Sequence, residues 1–129
     1  KRPSYFFYMT LKSRIGNYKF ISQTIIQDSL YKQLYVNPAD TNMKAYIIWL
    51  GTEQESTKST FTDLGSNAKE IKIINFNLSE TGNETPTVAT NVSTTAAETP
   101  VIIMFRIVNE DTQQPCNIYR TYKKFVNAP

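Results

Sequence analysis

Histidine is missing from the 129 residues of this chain, and cysteine occurs once, as Cys116. Histidine is the commonest general base and metal ligand at neutral pH, so its absence excludes a Ser–His or Cys–His nucleophile pair within the chain. One cysteine excludes an internal disulfide and leaves the redox compartment open. We expect Cys116 to be a small, partly buried residue early in a strand.

Glycine and long apolar runs are also scarce. The four glycines are isolated in turn contexts, which excludes a glycine-rich phosphate loop. No run of about 18 apolar residues occurs, so we expect no membrane span. The chain starts with Lys1 instead of Met, which predicts a piece cut from a longer precursor or polyprotein.

The carboxylates do not form a convincing catalytic or metal pattern. Glu53 and Glu55 lie two residues apart in a polar segment, whereas glycoside hydrolysis needs carboxyls held about 5–10 Å apart on rigid elements. Asp63, Gly65 and Asn67 resemble a fragment of a calcium loop, but a bidentate glutamate is missing at the required distance, so a turn is favoured. We predict a protein that is not an enzyme, without catalytic residues, metal ligands or cofactor.

The strongest structural signal is the apolar, β-branched run 101–108, which Pro100 precedes. A short run of this composition predicts a strand buried on both faces. Residues 45–50 have the same character and end at Gly51. We expect these two runs to supply the two inner walls of a sandwich, facing each other across the interior.

Most other segments also have strand composition, with turn formers between them. Residues 28–36 fit a short helix capped by Asp28 as well as a strand, and we favour the strand. The sequence predicts one domain, 1–129, an all-β antiparallel sandwich of about seven to nine strands with little helix, immunoglobulin-like or jelly-roll. The predicted strands are 5–12, 18–27, 30–36, 43–50, 60–63, 70–78, 85–90, 101–108 and 116–125.

Residues 79–99 differ from the rest of the chain. They contain seven threonines, no aromatic residue and no lysine or arginine. Such a segment has little to bury, so we predict a long surface excursion with one weak strand, and long loops of this kind are often functional. Together with the polar segment 51–59, it gives the candidate binding residues Glu53, Glu55, Glu84, Thr85, Thr94 and Thr95.

Charge is distributed unevenly along the chain. Residues 1–36 carry six basic residues and one acid, whereas residues 37–105 carry four basic residues and eight acids. This polarity suits head-to-tail contact between copies, although a net charge of +3 is also ordinary for a soluble surface. The sequence leaves both interpretations open.

Aromatic and basic residues interleave at 18–20 and 119–125, a combination that also grips single-stranded nucleic acid. Acceptor patterns for N-glycosylation begin at Asn77, Asn83 and Asn91, in or beside the excursion, and chance explains them equally well. Neither feature decides the function alone.

These observations together predict a non-enzymatic structural, assembly or surface-recognition domain that acts through protein–protein contacts. The leading hypothesis is a viral capsid or capsid-projection domain, or a surface-appendage subunit, located in a virion or at the cell surface. The expected partner is a second copy or a protein or glycan surface. The alternatives are an extracellular glycan- or receptor-binding module and a β-barrel that binds single-stranded nucleic acid.

Overall fold

The structure is a computed structural model that describes residues 2–51 and 57–108, which form one helix and eight strands. The helix α1 spans Pro3–Ile15. The strands are β1 (Lys19–Ile26), β2 (Leu30–Asn37), β3 (Asp40–Leu50), β4 (Thr57–Asp63), β5 (Ala68–Asn75), β6 (Asn83–Thr87), β7 (Asn91–Ala97) and β8 (Val101–Ile107).

The strands form two antiparallel sheets, which confirms the all-β, sandwich-like prediction. The large sheet has the order β1-β2-β3-β8-β5-β6, and the small sheet pairs β4 with β7. The small sheet packs against one face of the large sheet, here called the sandwich face, through a core that includes Ile48, Val92 and Ile103. The helix α1 covers part of the opposite face, here called the helix face, through a second core that includes Ile15 and Ile102.

The two apolar runs are neighbours in one sheet and do not face each other across the interior, so that prediction is wrong. Strand β3 pairs directly with β8, and Ile47 lies opposite Ile102. The predicted burial of β8 on both faces is confirmed, because Ile102 belongs to the helix-face core and Ile103 to the sandwich-face core, each with no exposed surface. The helix α1 covers one face of β8 and the small sheet covers the other.

Residues 5–12, predicted as a strand, belong to α1. Pro3 lies in the first turn, where proline costs the helix no hydrogen bond. Phe7 packs edge-on against Phe76 at 5.5 Å, and Leu11 and Ile15 continue the same helical stripe onto the sheet. In the first half of the helix, aromatic residues lie on all sides, so the four-residue spacing of Phe7, Leu11 and Ile15 does not stand out in the sequence.

Polar contacts fix α1 to the segment between β5 and β6. The Thr10 hydroxyl donates to the Ser79 carbonyl at 3.3 Å, and the Ser13 hydroxyl donates to the Glu80 carbonyl at 3.2 Å. Arg14 Nε donates to the Thr81 carbonyl at 2.8 Å. The helix is therefore held along its side by three consecutive carbonyl groups.

The prediction of a surface excursion at 79–99 is wrong, because this segment carries β6 and β7. Along β7, Val92, Thr94 and Ala96 are buried and alternate with exposed residues. Small side chains suffice there because the small sheet lies close to the large one, with Ala68 and Ala96 both in the shared core. The weak strand predicted at 85–90 overlaps β6, which begins two residues earlier and ends at Thr87.

Other predicted elements have clear outcomes. Residues 30–36 are a strand, β2, and the helix alternative is discarded. The predicted edge strand 60–63 is part of the longer β4, which also takes up the end of the predicted loop 51–59. The predicted strand 116–125 lies outside the described residues.

A buried hydroxyl in the small sheet gives a stability prediction. Thr94 Oγ1 is inaccessible and has no hydrogen-bond partner within the described part of the chain. Thr94→Val keeps the shape and removes an unsatisfied polar group, so we expect the free energy of unfolding to stay the same or rise by up to about 2 kcal/mol. Chemical denaturation measures the change, with exposed Thr95→Val as the control for strand propensity. A loss of stability specific to Thr94→Val would show that the hydroxyl has a partner.

Candidate protein-interaction surface

Strand β1 forms because its residues favour extended backbone and because tight turns bound it. Its sequence is rich in isoleucine and contains neither glycine nor proline. After β1, Gln27 and Asp28 adopt left-handed backbone conformations, with φ values of 54° and 61°. The Ser29 N–H donates to the Ile26 carbonyl at 3.2 Å, which closes a tight hairpin into β2.

Strand β1 is the exposed edge of the large sheet. All eight of its residues are exposed, so neither α1 nor the small sheet covers it. Within residues 2–51 and 57–108, its one pairing partner is β2, so the other side of β1 offers unpaired backbone groups. Its large apolar residues are Phe20, Ile21, Ile25 and Ile26, which are 48%, 50%, 47% and 37% exposed.

The opposite edge of the same sheet is built differently. Strand β6 has five residues, and Pro86, the fourth of them, lacks a backbone N–H. Glu84 adds a charge, which forms a 2.7 Å ion pair with Arg14. Short length, proline and charge are the usual devices that prevent an edge from pairing with another chain. On β1, Lys19 is the single charged residue.

An open groove lies beside α1 on the helix face and leads toward β1. Its volume is about 680 Å³. Tyr35 and Trp49 form part of its floor, and the ring of each also contacts an aromatic ring outside the groove. Trp49 stacks on Tyr31 at 5.2 Å, and Tyr35 meets Phe20 of β1 edge-on at 5.7 Å. The remaining groove residues are Tyr8, Leu11, Lys12, Ile15, Gly16, Tyr18, Gln33, Ile47, Glu98 and Pro100.

A chain of hydrogen bonds orders the polar side chains on this face. The Tyr35 hydroxyl donates to Gln33 Oε1 at 2.8 Å, and Gln33 Nε2 donates to Gln23 Oε1 at 2.8 Å. Gln23 lies opposite Gln33 in the β1–β2 register. The surface next to the β1 edge is therefore apolar except for one row of hydrogen-bonded polar groups, from the Tyr35 hydroxyl through Gln33 to Gln23.

Opposite charges stand at the two ends of β1. Lys19 begins the strand and Asp28 lies in the turn that follows it; both are exposed. Among the described residues, neither side chain has a hydrogen-bond or ion-pair partner. The edge thus has one free positive end and one free negative end.

Asp40 and Arg106 form an ion pair near the start of β1. Arg106 Nη1 donates to Asp40 Oδ2 at 2.7 Å, and Arg106 Nε lies 3.5 Å from Glu70 Oε2. The hydrogen bond from Arg106, supported by one from the Asn42 backbone, lowers the pKa of Asp40. Burial raises the pKa of the nearby Tyr18 hydroxyl.

This pair predicts a pH dependence. Because the folded-state pKa of Asp40 lies below its unfolded value of about 3.9, the stabilisation is present above that value and is lost as the pH falls through the folded pKa. Asp40→Asn should therefore be less stable than the native chain near neutral pH, with the difference shrinking below about pH 4. Urea denaturation at several pH values measures it. A difference that is constant with pH would contradict the assignment.

The candidate binding residues from the sequence do not form one exposed cluster. Thr94 is buried in β7 and faces the large sheet, so its prediction as an exposed binding residue is wrong. Thr85 and Thr95 are exposed and line, with Thr94, a depression of about 300 Å³ between β6 and β7. Glu84 pairs with Arg14. Glu53 and Glu55 lie outside the described residues.

The structure also locates part of the aromatic and basic motifs predicted from the sequence. Lys19 and Phe20 of the aromatic and basic segment 18–20 lie on β1, and Tyr18 lines the groove. The segment 119–125 lies outside the described residues. The described part of the chain contains no group of three or more acidic or cysteine side chains placed to hold a metal. It also contains no helix with the length and apolarity that crossing a membrane requires.

Sequence reasoning missed the β1 edge and the groove. An apolar pattern on both alternations was visible in residues 18–27, but that pattern equally fits a strand buried on both faces. The low charge of the strand was the available signal for a pairing edge. Comparisons with protein-family models, curated proteins and solved structures find no match.

Proposed function

We propose that this chain is a non-enzymatic assembly or recognition domain that works through protein–protein contacts, and that β1 is its contact edge. In this proposal an extended segment of a protein partner adds to β1 as a further strand of the large sheet. Backbone hydrogen bonds supply affinity, and the exposed side chains of β1 select the partner segment.

The observation that carries the proposal is the difference between the two edges of one sheet. Strand β6 has proline, charge and short length, whereas β1 presents eight exposed residues and four large apolar side chains. A long apolar edge left open in a soluble protein pairs with another chain. The neighbouring floor formed by Tyr35 and Trp49 adds apolar area for side chains of the partner.

A strand-capture experiment tests the proposal. The probe is a synthetic peptide with the sequence of residues 18–27, added in excess to the isotope-labelled full chain. We expect NMR shift changes in β1 and around Phe20 and Tyr35, with none along β6. In the chain, Ile25→Lys should weaken peptide binding by about 10- to 100-fold, because a charged side chain replaces a buried apolar one.

The matched control is Thr85→Lys on the opposite edge strand β6, which adds the same charge at an exposed position. Both variants should keep the native melting temperature. The proposal is wrong if the peptide leaves the β1 signals unchanged at a concentration at which the chain is monomeric, or if Ile25→Lys binds the peptide as tightly as Thr85→Lys does.

The alternatives remain predictions. A glycan- or receptor-binding module would use the aromatic groove, and a nucleic-acid binder would use the basic and aromatic residues at the start of β1. A capsid or surface-appendage subunit is one form that an assembly domain of the proposed kind would take.

A further inference from the structure

We infer that the strand that adds to β1 is β1 of a second copy of this chain, so that the two large sheets join into one across a two-fold axis. This inference rests on the proposed function and names its partner. A two-fold axis through the joined edges makes the two β1 strands antiparallel, and each residue contact then occurs twice.

The side chains of β1 suit pairing with themselves. Phe20 contacts Tyr35, and Ile25 lies opposite Tyr31, so both apolar residues belong to the helix face. Ile26 lies opposite the buried Leu30 and belongs to the sandwich face. Each face of β1 therefore carries at least one exposed large apolar side chain, which an antiparallel copy of β1 covers when it extends the sheet.

The charges at the ends of β1 make the antiparallel arrangement self-complementary. In such a pair, the start of one strand lies beside the end of the other. Lys19 of each copy then lies alongside the turn that carries Asp28 of the other copy, and both side chains lack a partner among the described residues. A parallel arrangement would place like charges together at each end, which is unfavourable.

The protected edge limits the assembly to two copies. Joining two chains through β1 leaves a β6 strand at each outer edge, and Pro86 together with the ion-paired Glu84 discourages further strand addition there. The expected product is a closed dimer and not a growing fibre.

Sedimentation velocity of the full chain over a range of concentrations tests the inference with four single variants and one double variant. The native chain should form a dimer, and Ile25→Lys should shift it to monomer while Thr85→Lys does not. Lys19→Asp and Asp28→Lys should each raise the dimer dissociation constant by about 2- to 30-fold, the effect of losing two exposed ion pairs. Combining Lys19→Asp with Asp28→Lys should restore dimerisation, because the two charges have exchanged places.

Distinct outcomes overturn the inference and the proposed function. A native chain that stays monomeric at high concentration but captures the 18–27 peptide on β1 overturns the second copy as partner and keeps the contact edge. A monomer whose β1 captures no peptide overturns both. A dimer that Ile25→Lys leaves intact, or one that does not recover in the charge-exchanged double variant, contradicts the two-fold β1 arrangement.

Discussion

Ile102→Ala is expected to lower the free energy of unfolding by about 2–5 kcal/mol, because it opens a cavity under α1. Ile102 has no exposed surface and lies in β8 between Ile47 of β3 and Ile74 of β5. These side chains form the helix-face core on which α1 rests. Losing the central one removes contacts to both neighbouring strands and to the helix.

Urea denaturation followed by circular dichroism measures this effect. Val88→Ala, at a position that is 98% exposed, is the control and should change stability by less than about 0.5 kcal/mol. If Ile102→Ala were as mild as the control, α1 would not pack over the centre of the large sheet.

Gly82→Ala is the second substitution for which we expect a large loss. Gly82 has a φ of +72°, and a left-handed backbone costs a residue with Cβ roughly 1–2 kcal/mol. An added Cβ would also lie 2.8 Å from the Asn75 carbonyl oxygen and 3.0 Å from the Thr10 methyl group. Overpacking of this kind costs about 1–3 kcal/mol more, because the obstructing atoms belong to β5 and α1.

Gly65→Ala is the matched control. Gly65 has a φ of +88°, but a Cβ there would meet no atom within 4 Å. It should therefore lose only the backbone contribution, and the difference between the two variants in thermal or urea denaturation reports how closely Gly82 packs against β5 and α1. Equal losses would contradict that approach.

The strand character of most of the chain was predictable from local composition. The run 101–108 is apolar and β-branched, and the structure places it in β8 with both faces buried. Its pairing with β3 was not predictable. Burial on both faces shows that something covers each face of the strand, but it does not show which element is the cover and which is the neighbour in the sheet. Here α1 and the small sheet are the covers.

Two elements were missed for opposite reasons. In α1, bulky aromatics at four consecutive positions imitate strand composition, and long-range contacts such as Phe7 with Phe76 make the helix stable. In β7, the buried residues are small, so the segment resembled a loop. The alternation of Val92, Thr94 and Ala96 was a usable signal, but only the close approach of the small sheet gives such side chains a core to fill.

The candidate site was the least predictable feature. Sequence reasoning selected polar loops, whereas the structure places an apolar strand at the edge of the sheet. An edge position follows from the order of strands, and the low charge of β1 fits an inner strand as well as a pairing edge. The contrast with Pro86 on β6 becomes informative only once both strands are known to be edges.

Hydrogen exchange of the β1 amides at low and high protein concentration is the most direct test of the contact edge. The expected result is that amides of β1 become more protected as concentration rises, while those of β6 and of the exposed turn at Gly65 do not change. Fast exchange along β1 at both concentrations would contradict the account. Equal protection at both would also contradict it, because residues of the same chain would then occupy the edge.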